Sequence, residues 1–169
     1  MKKPALILSL TLLAAVGAVH AADAARQADV ARRGADVMPF SLAATRHVFT
    51  KTAAGGLQRV VARRASDAQQ VQLVRAHLRE IEARFRQGDF SGPAHIHGED
   101  MPGLAQLGAA RPGAVAIGYK DVPGGAELAY RTDDPALVAA LHSWFDAQLS
   151  DHGRDAMAGQ HGQHGMHGQ

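Results

Sequence analysis

Ten histidines in 169 residues, against no cysteine and 5% aromatic residues, make imidazole the side chain on which any chemistry of this chain would turn. An average chain of this length carries about four. The excess points to metal ligation, proton transfer or pH sensing. His161, His164 and His167 stand at i, i+3 and i+6 in AMAGQHGQHGMHGQ, with Met157 and Met166 close by. A Gly/Gln tract of this kind cannot build a packed core, so residues 154–169 read as a disordered tail that wraps a metal ion. His95 and His97 form A-H-I-H-G-E-D, followed by Met101. In an extended segment both rings lie on one side, which is half of a transition-metal site.

His47, His77, His97, His142 and His152 fall in or beside separate elements. Singly, each reads as a half-buried ring bonded to the main chain. Five together are more economically explained by one shared ion, because buried imidazoles without a common proton or ion are costly. Copper is the expected metal, with zinc and nickel as alternatives: imidazole suits all three, and Cu(II) binds such ligands most tightly. The leading functional expectation is therefore periplasmic metal binding, buffering or delivery. No catalytic residue is assigned. The His95/His97 pair lacks both a cupin-like spacing and an H-x-H-x-D-H pattern, and GDFSG sets Ser91 one place late for a nucleophile elbow. Enzymatic activity is not the expectation, and a metal-dependent hydrolase using Glu99 or Asp100 is the weakest alternative.

The elements that must position these residues follow from pattern. Residues 1–21 carry Lys2 and Lys3, an apolar run and a V-x-A site ending at Ala21. They read as a cleaved export signal, leaving no membrane span and a periplasmic or secreted chain. Residues 22–38 are Ala-rich and polar, a loose arm or marginal helix. Residues 39–153 form the domain. Phe40 to Thr50 and Leu57 to Arg63 flank AAGG as a hairpin, and Ser66 and Asp67 supply N-cap oxygens for a helix from about Ala68 to Gln87 that Gly88 closes. Val71, Val74, Leu78, Ile81 and Phe85 give that helix one apolar stripe. Ala114 to Val122, PGG, Ala126 to Thr132 and a helix capped by Asp134 repeat the order. The predicted fold is α+β: two ββα repeats forming a four-stranded antiparallel sheet with two helices on one face. Between the repeats, the Gly/Pro-rich loop 88–113 is long enough to be functional.

Absence of cysteine excludes disulfide frameworks, Cys-based zinc sites, c-type haem attachment and thiol enzymes. Charge is unevenly spread: residues 23–88 hold 12 basic and 6 acidic groups, residues 89–169 hold 4 and 10. Two halves folding against each other explain this, and nothing here calls for nucleic acid. The second functional expectation is an envelope interaction or stress protein that binds a protein or anionic partner through Arg75, Arg79 and Arg86.

The segments TRHVF, LVRAHL, FRQGDFSGP with IHG after it, and LHSWFDAQLSDHG resemble, in this order, a family of small exported bacterial proteins of unassigned function. The resemblance spans residues 39–153. Some members are labelled aspartate carbamoyltransferase, a label rejected here because the chain is far too short for that enzyme and lacks its phosphate-binding motif. The resemblance implies that these segments work as a unit and assigns them no activity.

Overall fold

The computed structural model describes residues 10–160, with side chains from residue 21 onward. Helix α1 (Leu10–Val37) leads into strands β1 (Thr45–Thr52) and β2 (Gly55–Ala62). Helices α2 (Ala68–Arg86), α3 (Ser91–His97) and α4 (Leu104–Ala109) follow. Strands β3 (Ala116–Val122) and β4 (Gly125–Arg131), helix α5 (Pro135–His152) and strand β5 (Ala156–Ala158) are the last elements of the described residues. The strand order is β3-β4-β2-β1-β5.

This corrects the predicted architecture. The class is α+β, but among the described residues the sheet has five strands and is mixed, and there are five α-helices. Strand β5 joins parallel to β1, pairing His47 with Ala156 and Phe49 with Ala158, whereas the other pairs are antiparallel. A simple pair of ββα units has no place for β5, nor for α1, α3 and α4. The loop 88–113 holds two of these helices, and residues 22–38 lie within α1 and the turn after it. An Ala-rich helix is marginal alone; Val30 of α1 is fully buried, so tertiary packing holds it in place.

Alternation along the strands divides the sheet into two faces. The rows His47–Val60–Ala126 and Phe49–Gln58–Leu128 are aligned by the strand register, and all six residues are buried. Helices α2 and α5 cover this side, where Trp144, Phe145, Tyr130, Phe85 and Phe90 form an aromatic core with ring centroids 4.4–6.5 Å apart. The opposite face carries the row Val48–Arg59–Glu127–Lys120, with Glu127 accepting from Arg59 at 2.6 Å and Lys120 at 2.7 Å. The helix caps are chemical: Asp67 accepts from the Gln70 amide and Asp134 from the Ala136 amide.

Uneven charge along the sequence is consumed inside the fold. Arg26, Lys51, Arg59, Arg63, Arg75 and Arg79 from the basic half pair with Asp151, Asp146, Glu127, Asp155 and Asp121 from the acidic half.

Helix α4 reaches α5 through Gly103, which has φ 79° and whose missing Cβ would lie 2.1 Å from the Ala140 carbonyl oxygen. Gly103→Ala is expected to destabilise the fold by about 3 kcal/mol, from left-handed backbone strain and main-chain overlap. Gly108, inside α4 with nothing near its Cβ position, is expected to gain about 0.5–1 kcal/mol as Ala. Urea unfolding of the two variants checks the contrast; equal effects would remove the close-approach argument.

Candidate functional site

Four histidines from four elements line one cavity of about 330 Å³ between the sheet and its helices: His47 of β1, His77 of α2, His97 of α3 and His152 of α5. Each is at most 9% exposed. Strand alternation turns His47 inward between Thr45 and Phe49. His77 lies on the buried side of α2 with Val74 and Leu78, and its ring meets Phe40 edge-on at 5.5 Å. His152 ends α5 and stacks on His47, with centroids 5.0 Å apart and planes 4° from parallel. His97 meets His152 edge to face at 5.1 Å.

Asp151, the neighbour of His152, is the most connected charge in the site. It is 3% exposed, and its Oδ2 accepts from His97 Nδ1 at 2.8 Å. Arg26 of α1 clamps the same carboxylate, with Nε to Oδ1 at 2.5 Å and Nη2 to Oδ2 at 2.8 Å, and donates from Nη2 to the His97 carbonyl at 3.1 Å. A carboxylate only accepts, so the shared hydrogen sits on His97 Nδ1, and the neutral ring keeps its lone pair on Nε2.

Burial holds all four rings neutral. It pushes His47 down to about 4, with His77 and His97 adding to the effect and the main chain at Asp155 offsetting a little of it. Burial likewise lowers His152 strongly, with His47 and His97 contributing. His77 is lowered by burial, against Glu80. His97 is lowered by burial although Asp151 works to raise it.

Two polar atoms of cavity-lining residues are buried without a hydrogen-bond partner, His47 Nδ1 and Trp144 Nε1. Gln58 and Gln148 also line the cavity, and Gln58 accepts from the Tyr130 hydroxyl at 2.6 Å. The charged lining residues are Asp36 and Glu80, which are exposed, and Arg84 and Asp89, which are half-buried and bonded to each other at 2.8 Å.

The shared-ion expectation is overturned. No group of three or more His, Asp or Glu side chains among the described residues is arranged to hold a metal ion. The geometry gives the reason: stacked His47 and His152 present ring faces to each other, and His97 Nδ1 is spent on Asp151. Metal binding, the copper expectation with its zinc and nickel alternatives, and the metal ion as partner are therefore corrected together.

The remaining candidates separate as well. His142 stays apart, its Nε2 donating to the Thr52 carbonyl at 3.0 Å and the Gly55 carbonyl at 2.9 Å, which ties α5 to the β1–β2 turn. His95 and His97 do not share a face, because the segment is helical: His97 is buried while His95 is exposed, 3.9 Å from Asp36. Met101 is buried in the core. His161, His164, His167 and Met166 lie outside the described residues. Glu99 and Asp100 are exposed after α3 and do not line the cavity, so the metal-dependent hydrolase finds no support.

The Arg-rich helix is not free for a partner either. Arg75 donates to the Gly125 and Val122 carbonyls, Arg79 pairs with Asp121, and Arg86 donates to the Ile117 carbonyl and pairs with Glu82. Its guanidinium groups hold the β3–β4 hairpin, and nothing among the described residues supports an envelope partner there. No helix among the described residues is long and apolar enough to cross a membrane.

Sequence reasoning missed Asp151, Arg26 and Trp144. Asp151 and His97 are 54 positions apart in no motif, and the only local sign of the pair was the acidic residue preceding His152. Compared with protein-family models, curated proteins and solved structures, the chain matches none of them.

Proposed function

We propose that this protein binds a small, uncharged organic molecule with an aromatic or largely apolar body in the histidine-lined cavity. The observation that carries the reading is one cavity of about 330 Å³ lined by four histidines, two glutamines and apolar rings, two of whose residues, His47 and Trp144, each carry a buried polar atom without a partner. An unpaired buried polar group costs about 1–3 kcal/mol, and a ligand oxygen accepting from the indole N–H would recover it. The size is also right, since small-molecule sites begin at about 300 Å³ and combine apolar walls with a few polar groups. Phe40, Phe85 and Trp144 supply the walls; neutral imidazoles and the two glutamines supply the polar groups. Three carboxylates against one guanidinium among the charged lining residues disfavour an anion. The reading carries with it the export expected from residues 1–21, which places the ligand in the periplasm or outside the cell.

Trp144 is the single tryptophan, so its fluorescence reports on the cavity. Titration with 4-nitroanisole, a neutral aromatic compound whose absorption overlaps indole emission, is expected to quench it with saturation. Gly92 lines the cavity, and its Cβ position meets only Val37 at 3.9 Å. Gly92→Leu is expected to fill that space and weaken the saturable phase by about tenfold, the equivalent of roughly 1.4 kcal/mol. Quenching that stays linear in the wild-type chain, or is unaltered in a folded Gly92→Leu variant, would overturn the reading.

A further inference from the structure

We infer that residues 151–158 are an acid-released latch on the cavity: protonation of the histidine cluster detaches this stretch ahead of the rest of the fold and opens the cavity for exchange of its ligand. The ligand half of the inference rests on the cavity's being a binding site; the detachment does not.

The stretch is held lightly, and by the cluster itself. Its only buried side chains are Asp151 and His152. Strand β5 lies at the edge of the sheet and pairs with β1 alone, over three residues. Ala156 and Ala158 are small, and Met157 is 44% exposed. Beyond these, the Gly159 amide donates to the Phe49 carbonyl at 2.8 Å, and Arg63 pairs with Asp155 at 2.8 Å, both half-buried. Segments with few buried apolar contacts open first. His152 is also a partition. It lines the cavity on one side and, on the other, a cleft of about 280 Å³ bordered by Gln27, Leu42 and Arg154. Displacing that one ring joins the two spaces.

Protons act on this anchor in one direction. With the latch closed, a charge on His152 would lie out of water, with its ring centroid 5.0 Å from that of His47 and 5.1 Å from that of His97. Burial opposes it first, and His47 of β1 and His97 of α3 oppose it as well. Arg154 and Asp155 border His152 from the turn after α5, and Gln27 of α1 beside it is uncharged. A charge on His47 is opposed by burial, His77 of α2 and His97, against the main chain at Asp155. On His77, Glu80 favours the charge and Arg84 opposes it. Asp151 favours a charged His97 while Arg26 and Arg33 of α1 oppose it, and burial prevails. Detachment gives His152 to water, where imidazole titrates near 6.5. The open form then takes up a proton that the closed form excludes, so the latch is fully held above about pH 6.5 and released progressively below it.

Hydrogen exchange of the full chain at pH 7.5 and 5.5, followed by mass spectrometry and corrected for the intrinsic pH dependence of exchange, tests the latch. Opening of residues 151–159 is expected to rise at least about tenfold on acidification, the share of His152 alone, and to stay at least about tenfold more frequent at pH 5.5 than opening of β2 and β4. His152→Phe keeps a ring against His47 but takes no proton, and it is expected to lower the rise by about tenfold. In the wild-type chain, no rise in residues 151–159, or opening no more frequent than that of β2 and β4, overturns the latch whether or not the variant folds. Release of 4-nitroanisole on rapid dilution, read as recovery of Trp144 fluorescence, is expected to accelerate by the same factor as the opening. Release that is independent of pH while residues 151–159 open overturns the role in ligand exchange. If 4-nitroanisole gives no saturable quenching, the cavity reading falls, and hydrogen exchange alone upholds or overturns the latch.

Discussion

Lowering the pH from 6.5 to 4 is expected to cost this protein about 3 kcal/mol of folding stability through His47 alone. The ring is buried in the folded protein and titrates at about 4, against 6.5 for the exposed side chain. Between these values the unfolded chain binds a proton that the native state excludes. The stability is therefore complete above pH 6.5 and lost as the pH falls toward 4; below that both states are protonated and His47 adds no further slope. His77 and His97 oppose a charge on His47, and the His152 ring stacked on it is displaced in the same direction. The loss should then exceed the single-residue figure and steepen as the rings charge together. Urea midpoints measured from pH 7.5 to 4.5 check this. His47→Phe keeps an aromatic ring against Phe40, Phe49 and His152 and should flatten the profile by about 3 kcal/mol. A wild-type profile no steeper than the variant's would remove the buried-imidazole account.

Asp151→Ala is expected to cost about 1–3 kcal/mol near neutral pH, the usual penalty of leaving a buried donor without its acceptor. It leaves His97 Nδ1 without its acceptor inside the protein and frees Arg26 from both of its carboxylate bonds. Arg26→Ala should cost more, about 3–5 kcal/mol, because it leaves the Asp151 carboxylate, 3% exposed, with His97 Nδ1–H as its remaining partner, whereas the Arg26 side chain that Asp151→Ala leaves behind is 45% exposed and stays hydrated. A double-mutant cycle in urea measures the coupling. An Asp151→Ala loss below about 1 kcal/mol would place the pair among ordinary surface ion pairs and contradict the burial seen here.

Some of this organisation was legible in the residues, and the reasons are local. Asp67 and Asp134 are readable as caps because a short carboxylate ahead of an apolar periodic stretch has one good use. The glycine pairs at 55–56 and 124–125 announce the hairpins because Gly55 and Gly124 take φ values of 136° and 76°, which few other residues tolerate. Strand β5 is different: Ala156, Met157 and Ala158 carry no β-branched side chain, and their pairing depends on where α5 delivers them. Helix α3 is hidden by Gly92 and Pro93, which read as loop, and the mistake put His95 on the same side as His97. Periodicity could direct histidines from several elements toward one interior, yet it says nothing about ring orientation. Whether imidazoles meet face to face or point their nitrogens at a common centre is decided by packing. Asp151 was invisible for a simpler reason, since a lone carboxylate at the end of a helix is ordinarily solvated.

The parallel pairing of β5 with β1 has a bearing on how the chain is made. Residues 156–158 close against residues 47–49, so a contact more than a hundred positions long finishes the sheet edge, and such distant closures come late and slowly. Asp151 and His152 arrive on the same closing stretch. A nascent chain cut short before them would have the hairpins and the first long helix but no finished pocket. The cavity is thus complete only once residues 151–158 have been added, whatever the earlier parts have managed to fold.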